Sequence, residues 1–168
     1  MEASTRIKVE NCTLDTTDCK ILALLQDDAK IAQAKVAKIV GLTAPSVNER
    51  IRKLERAGYI RGYVALLDER KLGFDVTAFV EVFIEQPKFE AGLIEAVSGL
   101  DEVLECHHIT GEFSLLLKVR VPGMEAFRRL LIEKLNTVRG VRQTRTLIVL
   151  ATAKEQHRIK AGPWPASK

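Results

Sequence analysis

The chain has 168 residues, 46% of them hydrophobic, enough for one medium domain or two small ones with buried cores and no need of disulfide staples. Lysine and arginine number 26 against 22 aspartate and glutamate, and a net charge of +4 is modest for a protein that binds a polyanion, so the distribution of charge matters more than its total. Cys12, Cys19 and Cys106 stand in no CxxC or Cys/His ligand spacing, which argues against a disulfide framework or a metal centre; no apolar run can cross a bilayer and MEASTRIKVENC lacks a signal-peptide stretch, so we expect a cytoplasmic protein with no membrane partner.

Residues 1–13 are polar and patternless and read as an N-terminal tail. From 14 to 58 the apolar spacing is helical: Leu14, Ile21, Leu22 and Leu25, then Val36, Ala37 and Val40, then Val47, Ile51 and Leu54. Asp15 suits the N-cap of a first helix with Asp18 three positions on, Gly41 ends a second, and Thr43 caps a third with Pro45 in its first turn. Ala37 is small enough for two helices to cross closely, and Gly41, four later, can take the positive φ of a sharp turn, so 14–58 reads as a helix-turn-helix.

On the third helix, Val47, Ile51 and Leu54 form the inward stripe, and a turn of about 100° per residue carries Pro45, Glu49, Arg52 and Arg56 outward. The N-terminal half of such a helix enters a major groove, which makes Ala44, Pro45, Ser46, Asn48 and Glu49 candidates for base contact, with the cap residue Thr43 a DNA-binding candidate beside them. Arg50, Arg52, Lys53 and Arg56 are candidates for phosphate contact. The bland alternative is a solvated face on which Arg52 and Arg56 pair with Glu49 and Glu55.

Residues 59–75 read as a connecting strand, over 59–67, and a linker; Arg61 either touches phosphate from a wing or simply lies on the connector. Strands are expected at 76–85, 103–109, 113–121 and 141–151, with helices at 88–98 and 124–138. The order is that of a ferredoxin-like βαββαβ domain over 76–154, with both helices on one face of an antiparallel sheet. Along 76–85 the alternating set Val76, Ala78, Val80, Val82 and Ile84 is apolar, and the other set holds Phe79 and Phe83. Helices cover one face only, so a second copy is the economical cover for the other, against the alternative of a merely hydrophobic monomer. Residues 155–168 form a C-terminal tail, frayed or docked, in which Trp164 has no assigned role.

LDTTDCKILALL, VAKIVGLTAPSVNERIRKLERAGYIRGYVALLDERKLG, ECHHITGEFSLLLKVRV and TRTLIVL together resemble the Lrp/AsnC, or feast/famine, regulators over about residues 14–154. The resemblance implies an α+β chain, a winged helix-turn-helix followed by a ferredoxin-like regulatory domain. It also implies a sequence-specific transcriptional regulator on double-stranded DNA, a homo-oligomer of dimers assembling to an octamer, and an amino acid or related small metabolite held between protomers; no cofactor is expected. The family's pocket motif runs Gly-acid-aromatic-Asp. Here Gly111, Glu112 and Phe113 fit it, while Ser114 replaces the aspartate and offers a neutral hydrogen bond in place of a carboxylate for an α-ammonium. Thr144 and Thr146 match further pocket positions, though threonine is also simply common in strands.

Two other functions compete. One is a ring-forming architectural DNA-binding protein with little effector control. The other is an enzyme, because siroheme decarboxylases resemble this two-domain fold and His107 and His108 invite comparison. Neighbours in a strand face opposite sides, however, and no linear catalytic constellation is present, so no enzyme is expected.

Overall fold

The computed structural model describes residues 14–161; Cys12, Trp164 and the tail 1–13 lie outside the described residues. The chain divides into two compact units, one of residues 66–154 and the other of residues up to 65 joined by those from 155 onward.

In the first unit three helices follow in order: α1 (Thr16–Asp27), α2 (Gln33–Val40) and α3 (Ala44–Arg56). Local chemistry sets their ends. Asp15 and Asp18 form a reciprocal capping box, each carboxylate accepting the other's backbone N–H, at 2.7 and 3.2 Å. Gly41 closes α2 at φ 73°, a left-handed conformation that side chains resist, and its N–H bonds back to the Ala37 carbonyl. Thr43 caps α3 by accepting the Ser46 N–H. Ile21, Leu22, Val36, Ala37, Val47, Ile51 and Leu54 then form one core, with Ala37 where α2 meets its neighbour.

The end of the chain returns to this unit. The amide of Gln26 bonds the backbone of Ile159 twice, donating to its carbonyl at 3.0 Å and accepting its N–H at 2.8 Å. Arg158 pairs with Asp27 at 2.7 Å, and half-buried Ala161 packs against the helical core.

The second unit is a four-stranded antiparallel sheet of β1 (Val76–Ile84), β2 (Val103–His108), β3 (Leu115–Val121) and β4 (Val141–Ile148), ordered β2-β3-β1-β4. With α4 (Glu90–Ser98) and α5 (Met124–Arg129) between the strands, this is the ferredoxin-like arrangement. Its core joins Ala78, Val80, Val82 and Ile84 of β1 and Leu115, Leu117, Val119 and Val121 of β3 to Leu93 and Val97 of α4 and Phe127 of α5.

Three expected elements differ. The strand at 59–67 does not form, because no described strand offers it a ladder; Val64, Leu66 and Leu67 stand exposed. The helix expected from 88 opens as a 3₁₀ turn, Pro87–Phe89, before α4. The helix expected over 124–138 is α-helical only to Arg129 and then widens to a π turn, Leu130–Leu135, in which the Asn136 N–H reaches the Leu131 carbonyl. That widening brings Leu130 and Leu135, five residues apart, onto the same core, which an α-helical spacing would not do.

Candidate functional site

α3 separates what holds it from what it presents. Val47 and Leu54 are fully buried and Ile51 nearly so, whereas Pro45, Ser46, Glu49, Arg52, Lys53 and Arg56 are exposed and Asn48 is half-buried. Thr43 and Ser46 lie 2.9 Å apart in the cap, and Ala44 rests against the core, so the start of the helix is fixed by its own polar groups. The Asn48 carbonyl oxygen accepts from the Gln33 amide at 3.3 Å, which fixes its side chain from α2 while leaving its amide N–H₂ free to point elsewhere. Glu49 and Lys53 approach at 3.8 Å. Neither Arg52 nor Arg56 forms an ion pair among the described residues, so the alternative of their pairing with Glu49 and Glu55 is not what the structure shows; Glu55 instead accepts the Tyr63 hydroxyl at 3.0 Å. Burial, and then that carboxylate, push the Tyr63 phenol above its ordinary pKa.

Arg50 stands apart from the other cations. Its guanidinium donates to Asp15 at 2.6 Å and to Asp18 at 2.8 Å, both on α1 or its cap. The Asp18 backbone bond and the Arg50 contact hold the Asp15 carboxyl below its usual range, and the two aspartates, Asp18 first, push Arg50 higher still.

In the sheet unit the loop Gly111–Ser114 sits where β2 hands over to β3. Gly111, at φ 120°, takes a conformation that side chains rarely adopt. The Ser114 N–H donates to the Val82 carbonyl at 3.1 Å, and its carbonyl accepts from Ile109 at 3.0 Å, so the loop is sewn to two strands. Glu112 is exposed, while Phe113 is buried, edge-on to Phe83 with ring centres 6.5 Å apart. The Arg145 guanidinium lies 4.7 Å from the Phe113 ring centre and bonds Glu81. Glu81, and more weakly Glu112, raise the Arg145 pKa.

Gly111, Glu112, Phe113 and Ser114 thus come together with Arg145, Glu81 and Phe83, but Thr144 and Thr146 do not join them. They lie opposite Val82 and Val80 in the ladder, and so on the helix-covered face, while Arg145 between them takes the open face with Glu81. Arg145 is the residue that the sequence reading missed; its alternation with the two threonines was the available signal. The adjacent histidines diverge as expected, with His107 bonded to Glu105 at 2.9 Å and His108 to Glu90 at 3.1 Å. His107 pairs with Leu116 and His108 with buried Leu115, which puts them on opposite faces. Among the described residues no His, Cys, Asp and Glu group could hold a metal ion, and no helix is long and apolar enough to cross a membrane.

Residues 14–61 match the family model for winged helix-turn-helix DNA-binding domains, and residues 77–159 match that of the Lrp/AsnC ligand binding domain. The leucine-responsive regulatory protein of Escherichia coli K12 is 41% identical over 148 residues, which cover 87% of this chain and 90% of the relative. The chain belongs to the Lrp/AsnC family. The Klebsiella pneumoniae leucine-responsive regulatory protein matches at the same identity and coverage. Among solved structures, E. coli AsnC superposes with a TM-score of 0.84 at 31% identity, covering 88% of this chain and 99% of AsnC. A Neisseria meningitidis transcriptional regulator in complex with L-Met gives 0.84 at 30% identity, covering 88% and 96%. This Lrp/AsnC member is therefore a DNA-binding transcriptional regulator with a winged helix-turn-helix and a ligand-binding domain built on a four-stranded antiparallel sheet.

Proposed function

We propose that α3 reads double-stranded DNA in the major groove and that the sheet unit assembles the protein around an amino-acid effector. The observation that carries the first part is the free outward side of α3, where Asn48 is steadied by Gln33 while Arg52 and Arg56 keep their charge unspent. Pro45, Ser46, Asn48 and Glu49 contact bases; Arg52, Lys53 and Arg56 contact phosphates; Thr43 and Ala44 set the helix start.

For the second part, the sheet face away from the helices carries Phe79, Phe83, Leu116 and Leu147, and a second copy of the chain covers it. The effector lies beside Gly111–Ser114, its carboxylate toward Arg145 and its ammonium toward Glu112, a charge arrangement that makes good the loss of aspartate at Ser114. The L-Met complex of the Neisseria relative supports the ligand class.

Titration on operator and mixed-sequence DNA at several salt concentrations tests the reading. Asn48→Ala should cost about 1–3 kcal/mol on the operator and relax preference. Arg52→Ala should weaken all sequences alike and reduce the salt slope by about 0.9. Uniform wild-type affinity for all DNA would point to an architectural protein. Light scattering with an amino-acid panel reads assembly as dimer, octamer or intermediate, and a mass and shift indifferent to the panel would remove the effector.

A further inference from the structure

Charge and position alone place Arg50 among the phosphate-binding cations of α3, but its surroundings give it a different task. Arg50 falls between Val47 and Leu54 on the rim of the buried stripe, not on the outward side. Both hydrogen bonds of its guanidinium run to α1, to Asp15 Oδ2 and Asp18 Oδ1. The remaining oxygens of those carboxylates, Asp15 Oδ1 and Asp18 Oδ2, are the ones that accept the capping-box N–H groups. Every carboxylate oxygen thus has one donor, two from the start of α1 and two from α3. Asp18 is the only buried charged residue among those described, its side chain 11% exposed, so losing one of these donors would leave a buried oxygen unpaired.

We propose that Arg50 is a positioning residue for DNA recognition: by clasping the capped start of α1, it fixes the rotation of α3 about its own axis and so decides which side chains meet the groove. The inference rests on α3 being the DNA-reading helix. The physical need is specific. Contacts of Val47, Ile51 and Leu54 with the core are non-directional, and apolar surfaces tolerate a helix rolling or sliding by part of a turn. A guanidinium held between two carboxylates at fixed positions tolerates neither. Because a base-edge hydrogen bond fails over a few tenths of an ångström and tens of degrees, such a roll erodes sequence preference before it erodes attraction to phosphate.

The test compares Arg50→Ala, Arg50→Lys and Asp18→Asn with wild type in the full chain, each checked by thermal unfolding and titrated on operator and mixed DNA over a range of salt. The operator-to-mixed affinity ratio should fall about tenfold in Arg50→Ala with the salt slope unchanged, since no phosphate contact is lost. Asp18→Asn should lower the ratio similarly, and the double variant should do no worse than either single one, as for partners in one interaction. Arg50→Lys, which keeps the charge but not the reach and planarity of the guanidinium whose Nη1 serves both aspartates, should recover part of the ratio. It also serves as the readable variant if Arg50→Ala does not fold.

A slope reduced by about 0.9 with the ratio unchanged would overturn the proposal and return Arg50 to the phosphate set. Wild-type ratios in folded Arg50 and Asp18 variants would also overturn it. Arg52→Ala and Asn48→Ala, run alongside, separate this failure from that of the underlying reading: if they too leave binding untouched, α3 is not the reading helix at all.

Discussion

The two units solve the same problem, exposing a working surface on a small folded body, in opposite ways. On α3 the division runs lengthwise along a single helix, with Val47, Ile51 and Leu54 holding the fold and the side with Asn48 and Arg52 turned away from the core. On the sheet the division is between two faces, and the face away from the helices is neither plainly polar nor plainly apolar. Phe79, Phe83 and Leu147 share it with the Glu81–Arg145 pair and with a cluster in which Glu105 holds both Lys118, at 3.1 Å, and His107. A helix can thus carry a finished interface within one chain. A mixed sheet face of this kind gains its specificity when its charges meet a complementary surface.

The largest effect should come from breaking each core separately. Leu54→Ala and Leu117→Ala each remove a buried side chain and should cost about 2–5 kcal/mol in denaturant unfolding. The two should part in function, with Leu54→Ala abolishing operator binding while light scattering shows the wild-type mass, and Leu117→Ala lowering the mass. Loss of both properties in both variants would mean that the units do not divide the work.

A smaller effect, about tenfold in effector affinity, is expected for Arg145→Ala, because the loop below it keeps Phe113, Phe83 and its backbone bonds to Val82. Calorimetry with the amino acid that shifts assembly measures it, and unchanged affinity would detach Arg145 from the pocket.

The smallest concerns pH. Lys134, 2.6 Å from Glu102, holds that carboxyl below its ordinary value. A depressed carboxylate contributes stability that is fully present above its unfolded pKa, about 4.3, and is lost as the pH falls through the folded one. Glu102→Gln should therefore flatten the acid side of the stability curve, by about 0.2–1 kcal/mol, because the pair is partly solvated and screened by salt. Equal acid sensitivity in the variant would assign the slope to other carboxylates.

Legibility in the sequence followed the range of the interaction. Asp15 with Asp18, Gly41 and Thr43 act within four residues of themselves, so their roles could be read along the chain and the structure shows them. The βαββαβ order was equally legible from the alternation of the strands and the two intervening helical stretches. Where an element depends on a partner distant in sequence, the reading failed. A strand at 59–67 needs a ladder that local pattern cannot supply, and the π turn at Leu130–Leu135 answers the sheet beneath it rather than its own propensity. Arg50 was grouped with the phosphate-binding cations because its aspartates lie 32 and 35 positions away. Thr144 and Thr146 came from the resemblance, and although alternation already sets Arg145 on the other face, only its pairing with Glu81 shows that this face is the open one.

The return of the chain end to Gln26 and Asp27 makes the DNA-binding unit discontinuous in sequence. No single cut can excise it: a fragment ending at 65 forfeits the backbone that Gln26 grips, and a protein shortened to 154 deprives a distant helix while leaving every strand of the sheet intact.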